Sequence, residues 1–273
     1  MNIRWRAMPE GHTLHRAARL QRRRFAGHQL RVDSPQGRFS DGAALLDGRL
    51  LEGVEAVGKH LFHRWEGGLT VHIHLGLFGK FKTYTGEAPE PTQGTRLRWW
   101  GEPGTLHLSG PTACDVIESN AEEQLLLRIG PDPLAVRRGD EQRVQSAFAR
   151  RRIPVAQLLL DQAVVSGIGN VYRAEFCFLV GVDPFMPANE VPSEKVGDIW
   201  RLAIDHMRVG ERIGRIVTVD PPEVGARLHR EISSRERLYV YKRHGLGCRR
   251  CGTAIRKAPL AGRTVWWCPA CQR

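Results

Sequence analysis

Long apolar runs are missing from this 273-residue chain. None approaches the roughly 18 residues of a membrane-spanning helix, and the opening residues lack the apolar core of a secretion signal, so the chain reads as soluble and cytoplasmic. Internal repeats and low-complexity tracts are also absent. Acidic side chains are scarce: 29 Asp and Glu face 41 Lys and Arg, giving a formal net charge of +12 and a pI near 10.0. Such a balance selects a polyanionic partner, nucleic acid first and an anionic membrane surface second. The excess is concentrated late in the chain. From Ala226 to Arg273 there are 12 Lys or Arg against 2 Asp or Glu. A solvated basic tail would show the same run, so the charge gains meaning only from what accompanies it.

Cysteines are few but ordered. Four of the six stand as "CRRC" (Cys248, Cys251) and "CPAC" (Cys268, Cys271), a C-x2-C-x16-C-x2-C spacing. Two-residue gaps let each pair bend around one side of a tetrahedral ion, and the sixteen-residue excursion suits a β-hairpin between the two knuckles. Disulfides are the alternative, and a reducing compartment disfavours them. Four thiolates leave no open coordination position, so the expected ion is one structural Zn2+, and no catalytic metal is expected. Cys114 and Cys177 stand alone in sequence and read as buried thiols.

The length suits two domains. A helix is expected over "TLHRAARLQRRRF", with Leu14, Ala17, Ala18 and Leu20 on its apolar face. Strand-like runs follow, among them the alternating "TVHIHL" and the hairpin-like "TRLRWWGEPGTLHLSG". Pro, Gly and charge then mark a linker over 131–143, and helical patterns begin with "VQSAFARRRIPVAQLLLDQAVV". The expected class is α+β. An N-terminal β-sandwich with a packed helix occupies 8–130, a helical DNA-binding domain 144–237 and the zinc hairpin 238–273, with 1–7 read as a non-native extension. Within the helical part, "SGIGN" joins two helices. Asn170 can cap the second, and exposed amides there can hold a phosphate; a plain helical hairpin would look much the same.

Taken together, "MPEG", "GKHLF", "HLGLFG", "GIGNVYRAE" and "AGRTVWWC" resemble, in order and spacing from Met8 onward, the formamidopyrimidine-DNA glycosylase and endonuclease VIII family of base-excision repair enzymes. The resemblance implies a β-sandwich domain, a helix-two-turns-helix domain with a zinc finger, and a monomer acting on damaged DNA without a membrane partner. It implies a nucleophilic Pro9, a proton-shuttling Glu10, and phosphate contacts from Lys59, His74, Asn170 and Arg263. Lys59 and Arg263 count with the catalytic set. Leu77 and Phe78 match the loop that fills the space left by a flipped-out base. The absence of a phenylalanine in "SGPTACDVIES", and Pro-Glu-Gly at the start, point to the endonuclease VIII branch and oxidised pyrimidines. Thr13 and Leu14 stand where better-known members carry a second glutamate. The reaction implied is glycosylase and abasic-site lyase chemistry through a proline iminium, followed by β,δ-elimination.

A terminal amine titrates about 2 to 3 pH units below lysine, so part of it is neutral near pH 7. A secondary amine condenses directly to a cationic iminium. Acylation removes both properties, so Pro9 is a nucleophile only with nothing before it. The expected start is therefore Met8, followed by methionine removal. If residues 1–7 are retained, the reading becomes a non-catalytic binder of damaged or abasic DNA. A zinc-ribbon regulator accounts for the cysteines and charge but leaves "MPEG", "GKHLF" and "GIGN" unexplained.

Overall fold

The computed structural model describes residues 9–273, so the readings on residues 1–7 and Met8 lie outside the described residues. The chain divides into two compact units, the first ending at Leu127 and the second running from Arg128 to Arg273.

The first unit opens with α1 (Gly11–Phe25), then β1 (Arg31–Asp33), α2 (Ser40–Leu46), β2 (Leu51–Val57), β3 (His60–Trp65) and β4 (Leu69–His74). It continues through β5 (Lys80–Tyr84), β6 (Thr95–Gly101), β7 (Gly104–Ser109), β8 (Ala113–Ile117) and α3 (Ser119–Leu127). The strands form two four-stranded sheets, ordered β2-β3-β4-β8 and β1-β6-β7-β5, with every neighbouring pair antiparallel. Alternation decides which side chains meet between the sheets. Leu61, Val71, Ile73 and Cys114 from one sheet, and Val32, Leu97, Trp99, Leu106 and Leu108 from the other, belong to one buried cluster. Trp65 and Trp99 meet edge to face at its centre, ring centroids 5.7 Å apart.

Helix α1 closes this cluster through Leu14, Ala18, Gln21 and Phe25, spaced by helical turns. Leu20, expected on the apolar face, lies instead off that stripe and is exposed. Gln21 takes a core position because His63 from β3 meets it there, Nε2 to Oε1 at 2.8 Å. Burial alone pushes His63 down to about 3, so it stays neutral.

The second unit contains α4 (Asp140–Ala149), the single turn α5 (Val155–Leu158), α6 (Asn170–Leu179), α7 (Ser193–Ile213) and the hairpin β9 (Arg256–Leu260) with β10 (Arg263–Trp267). The helical pattern read across 144–165 is interrupted. Pro154 has no N–H and disfavours helix in the residue before it, so α4 ends at Ala149 and α5 restarts just after the proline. Among the described residues, no helix is long and apolar enough to cross a membrane.

The hairpin turns at Ala261 and Gly262, both at positive φ (52° and 70°), between the paired Leu260 and Arg263. A two-residue turn with both φ positive matches strand twist but strains a residue with a Cβ. Ala261→Asn, which tolerates that conformation, is expected to raise stability by roughly 0.5–1 kcal/mol. Denaturant unfolding of the full chain measures it.

Candidate nucleic-acid site

In the first unit, Pro9 is half-buried and Glu10 is 1% exposed at the N-cap of α1. The Glu10 amide donates to Thr13 Oγ1 at 3.4 Å, and the Thr13 amide donates to the Glu10 carbonyl at 2.8 Å. Thr13 therefore fixes the backbone that carries Glu10.

Lys59 occupies a two-residue turn with Gly58, whose φ is 56°, between the paired Val57 and His60. Glycine at the first turn position lets the chain reverse tightly and puts Lys59 at the tip. His74 ends β4 directly opposite His60 in the register, with the ring centroids 5.1 Å apart. Lys59 and His74 are thus carried by the same end of one sheet. The Gly76 amide donates to His74 Nδ1 at 3.2 Å. With Nδ1 accepting, the neutral ring carries its proton on Nε2, which is free to donate to an outside acceptor without a positive charge. Burial, with a smaller push from Lys59, holds His74 below the ordinary histidine range.

Beyond His74 the chain makes a tight turn in which Gly76 has φ 60° and a Cβ there would lie 1.9 Å from Thr112 Oγ1. The Gly79 amide closes the turn on the Leu75 carbonyl at 2.9 Å. Between the two glycines, Leu77 is 47% and Phe78 69% exposed. Two adjacent apolar side chains are thus held in solvent on a braced loop, outside the core.

In the second unit the structure brings Asn170 and the hairpin together. Asn170, expected as a cap, is the first residue of α6; Gly169 holds the cap position, and Asn170 Nδ2 donates to the Thr264 carbonyl at 3.2 Å. Arg263, next to Thr264, opens β10 with its side chain exposed. Gln162 braces the preceding turn, accepting from the Gly167 amide at 3.0 Å and donating to the Ile168 carbonyl at 3.0 Å.

Two charged residues of α6 were not singled out from sequence. Arg173 is fully buried and donates to the carbonyls of Ala156 at 3.1 Å and Thr264 at 3.4 Å. Glu175 is also fully buried; its oxygens accept the amides of Tyr239 (2.8 Å), Val240 (2.9 Å) and Tyr241 (2.8 Å), and the Thr218 hydroxyl. Helix α6 therefore holds both the hairpin and the segment leading into it. The signal in the sequence was an Arg and a Glu inside the otherwise apolar "VYRAEFCFL".

The four cysteines Cys248, Cys251, Cys268 and Cys271 place their ligand sulfurs within 4.8 Å of one another. Cys251–Cys268 at 3.5 Å and Cys248–Cys271 at 3.9 Å bracket the roughly 3.8 Å between thiolates on a tetrahedral ion with 2.3 Å bonds. Thr253 and the neighbouring thiols pull Cys251 down to about 6, while burial and those same thiols push Cys271 up. Four thiolates cannot crowd together without a cation, and an all-sulfur tetrahedral set suits a structural metal. Cys114 and Cys177 are buried, and burial pushes each thiol up to about 12.

Comparison with known proteins matches residues 8–110 to the formamidopyrimidine-DNA glycosylase N-terminal domain and residues 129–220 to the formamidopyrimidine-DNA glycosylase H2TH domain. The chain is 44% identical to endonuclease 8 1 of Mycobacterium bovis over 272 residues, covering 97% of this chain and 100% of that protein. It is 30% identical to the formamidopyrimidine-DNA glycosylase of Thermus thermophilus, covering 97% of this chain and 98% of that one. The crystal structure of MutM (Fpg) from Thermus thermophilus superposes with a TM-score of 0.79 at 29% identity, covering 97% and 98% of the two chains.

Proposed function

Since the chain belongs to the formamidopyrimidine-DNA glycosylase family, we propose that it is a base-excision repair DNA glycosylase with abasic-site lyase activity, acting through Pro9 on oxidised bases, with pyrimidines favoured. The observation that carries this reading is the placement of Pro9 and a buried Glu10 at the head of α1, in a unit that also holds Leu77 and Phe78 out on a braced loop. The family pattern starts at residue 8, and use of the Pro9 nitrogen as a nucleophile requires that it carry no acyl group.

In this mechanism the neutral nitrogen of Pro9 attacks C1′ of the damaged nucleotide as the glycosidic bond breaks. The base departs with the bonding pair and gains a proton. Ring opening, with a proton passed to the sugar ring oxygen, leaves a cationic iminium between Pro9 and C1′. The iminium acidifies the C2′ hydrogen, so loss of that proton expels the 3′ phosphate, and a second elimination expels the 5′ phosphate. Glu10 moves the protons at the sugar and the departing base. Lys59, His74, Asn170 and Arg263 hold phosphates; the Nε2–H of a neutral His74 and the planar fork of Arg263 are apt donors for them. Leu77 and Phe78 fill the stack that the extruded nucleotide leaves. Zinc in the Cys248, Cys251, Cys268, Cys271 set would fix the hairpin carrying Arg263 and take no part in the chemistry. The protein acts as a monomer on damaged DNA.

Glu10→Gln, made in a chain with a free Pro9, is expected to lower base release by roughly 10²–10⁴-fold, the size of a lost general acid or base. Single-turnover assays on an oxidised-pyrimidine duplex measure it. Full base release by this variant would remove Glu10 from the proton-transfer role.

A further inference from the structure

On the face of β3 and β4 turned away from the buried cluster, three imidazoles stand together. His72 and His74 are two residues apart on β4 and so share a face, and His60 pairs with His74 across the ladder. His60 Nδ1 and His72 Nε2 approach to 2.8 Å, and their rings stack with centroids 5.1 Å apart. All three side chains are half-buried. A His-x-His strand with a third histidine on the neighbouring strand presents several nitrogen ligands to one side of a sheet.

We propose that His60 and His72 form a chelating site for a borderline divalent cation of the zinc class, on the flank of His74. Zinc–nitrogen bonds of about 2.0–2.1 Å at tetrahedral angles separate two ligand nitrogens by roughly 3.3 Å, so small ring rotations from the observed 2.8 Å admit the ion. Of the two facing nitrogens, one carries the shared proton. That ring transfers its proton through solvent to its other nitrogen, leaving two lone pairs directed at the cation. Asp115, opposite His72 in the β4–β8 register, and Glu122, itself paired with Arg64, both act on His72 as negative charges, while Lys59 acts on His60 as a positive one. Solvent completes the coordination. Neutral imidazoles and water select zinc-class ions over magnesium, which demands oxygen ligands. Occupation adds positive charge beside His74 and ties up its neighbour His60. If His74 holds a phosphate as proposed above, the cation alters DNA affinity; metal binding itself does not depend on that reading.

Full-length protein carrying one zinc on its cysteines is equilibrated by dialysis against micromolar free zinc, and bound metal is counted. The wild type is expected to take up a second zinc, His60→Gln and His72→Gln to remain at one, and magnesium to leave the count unchanged. Imidazole nitrogen NMR shifts in the wild type provide a measure that needs no variant: zinc should move His60 and His72 and leave the core His63 in place. A wild-type count that stays at one, a second zinc retained by both variants, or zinc shifts that miss His60 and His72 would overturn the site. Changes in DNA affinity with zinc, read separately on an abasic-site duplex, test only the link to His74.

Discussion

A chain trimmed to begin at Pro9 is expected to form an adduct with abasic-site DNA that borohydride traps, and the chain retaining residues 1–8 is expected to form none. The reason is electronic. An acylated proline nitrogen shares its lone pair with a carbonyl and cannot become an iminium, whereas the free secondary amine can, and part of it is neutral near pH 7. Losing a nucleophile outright costs on the order of 10⁴–10⁶-fold in turnover. Intact-mass analysis locates the adduct, and strand-cleavage rates give the ratio. Both forms should bind the DNA, with affinity falling as salt rises, because phosphate neutralisation releases counterions. A free Pro9 that binds tightly and gives no adduct would make the protein a silent binder of DNA damage.

Glu175→Ala is expected to destabilise the second unit by about 3–5 kcal/mol, the cost of removing one side of a fully buried hydrogen-bond network. The substitution strands the amides of Tyr239, Val240 and Tyr241 and the Thr218 hydroxyl in a place from which water is excluded. A loss of that size removes much of the 5–15 kcal/mol that typical domains possess. Glu175→Gln keeps the size and one acceptor oxygen, so a smaller loss is expected. Urea unfolding followed by tryptophan emission, with Trp266 and Trp267 on the hairpin, reports both. Wild-type stability in the alanine variant would show that the three amides find other partners.

Much of this architecture could be read from residue pattern. The alternation in "TVHIHL" is the register of β4, and the excursion between the cysteine pairs carries a β-hairpin. The cysteine spacing anticipated the clustered sulfurs. Other features depend on contacts far apart in sequence. Leu20 looks apolar-facing in a helix written alone, yet the stripe that β2 and β3 cover runs through Gln21, because His63 supplies a partner there. Asn170 reads as a cap until Thr264, almost a hundred residues on, offers its carbonyl. Arg173 and Glu175 could be noticed in sequence only as charges within an apolar helix; their partners lie in segments that no local pattern ties to α6. The pairing of His60 with His72 likewise needed the strand register.

The strand order also governs how the chain assembles during synthesis. Among the described residues, strand β1 pairs with β6 alone, and β4 pairs with β8 across the excursion that builds β5, β6 and β7. The β1-β6-β7-β5 sheet cannot be complete until Ser109 has left the ribosome, nor the β2-β3-β4-β8 sheet until Ile117 has, because loops of this length must close before the pairings that reward them can form. Through that interval the emerging end of the chain precedes the finished sandwich that later shelters Glu10. If Pro9 is freed as proposed above, removal of the residues ahead of it on the nascent chain would come before folding has set the surroundings of its nitrogen.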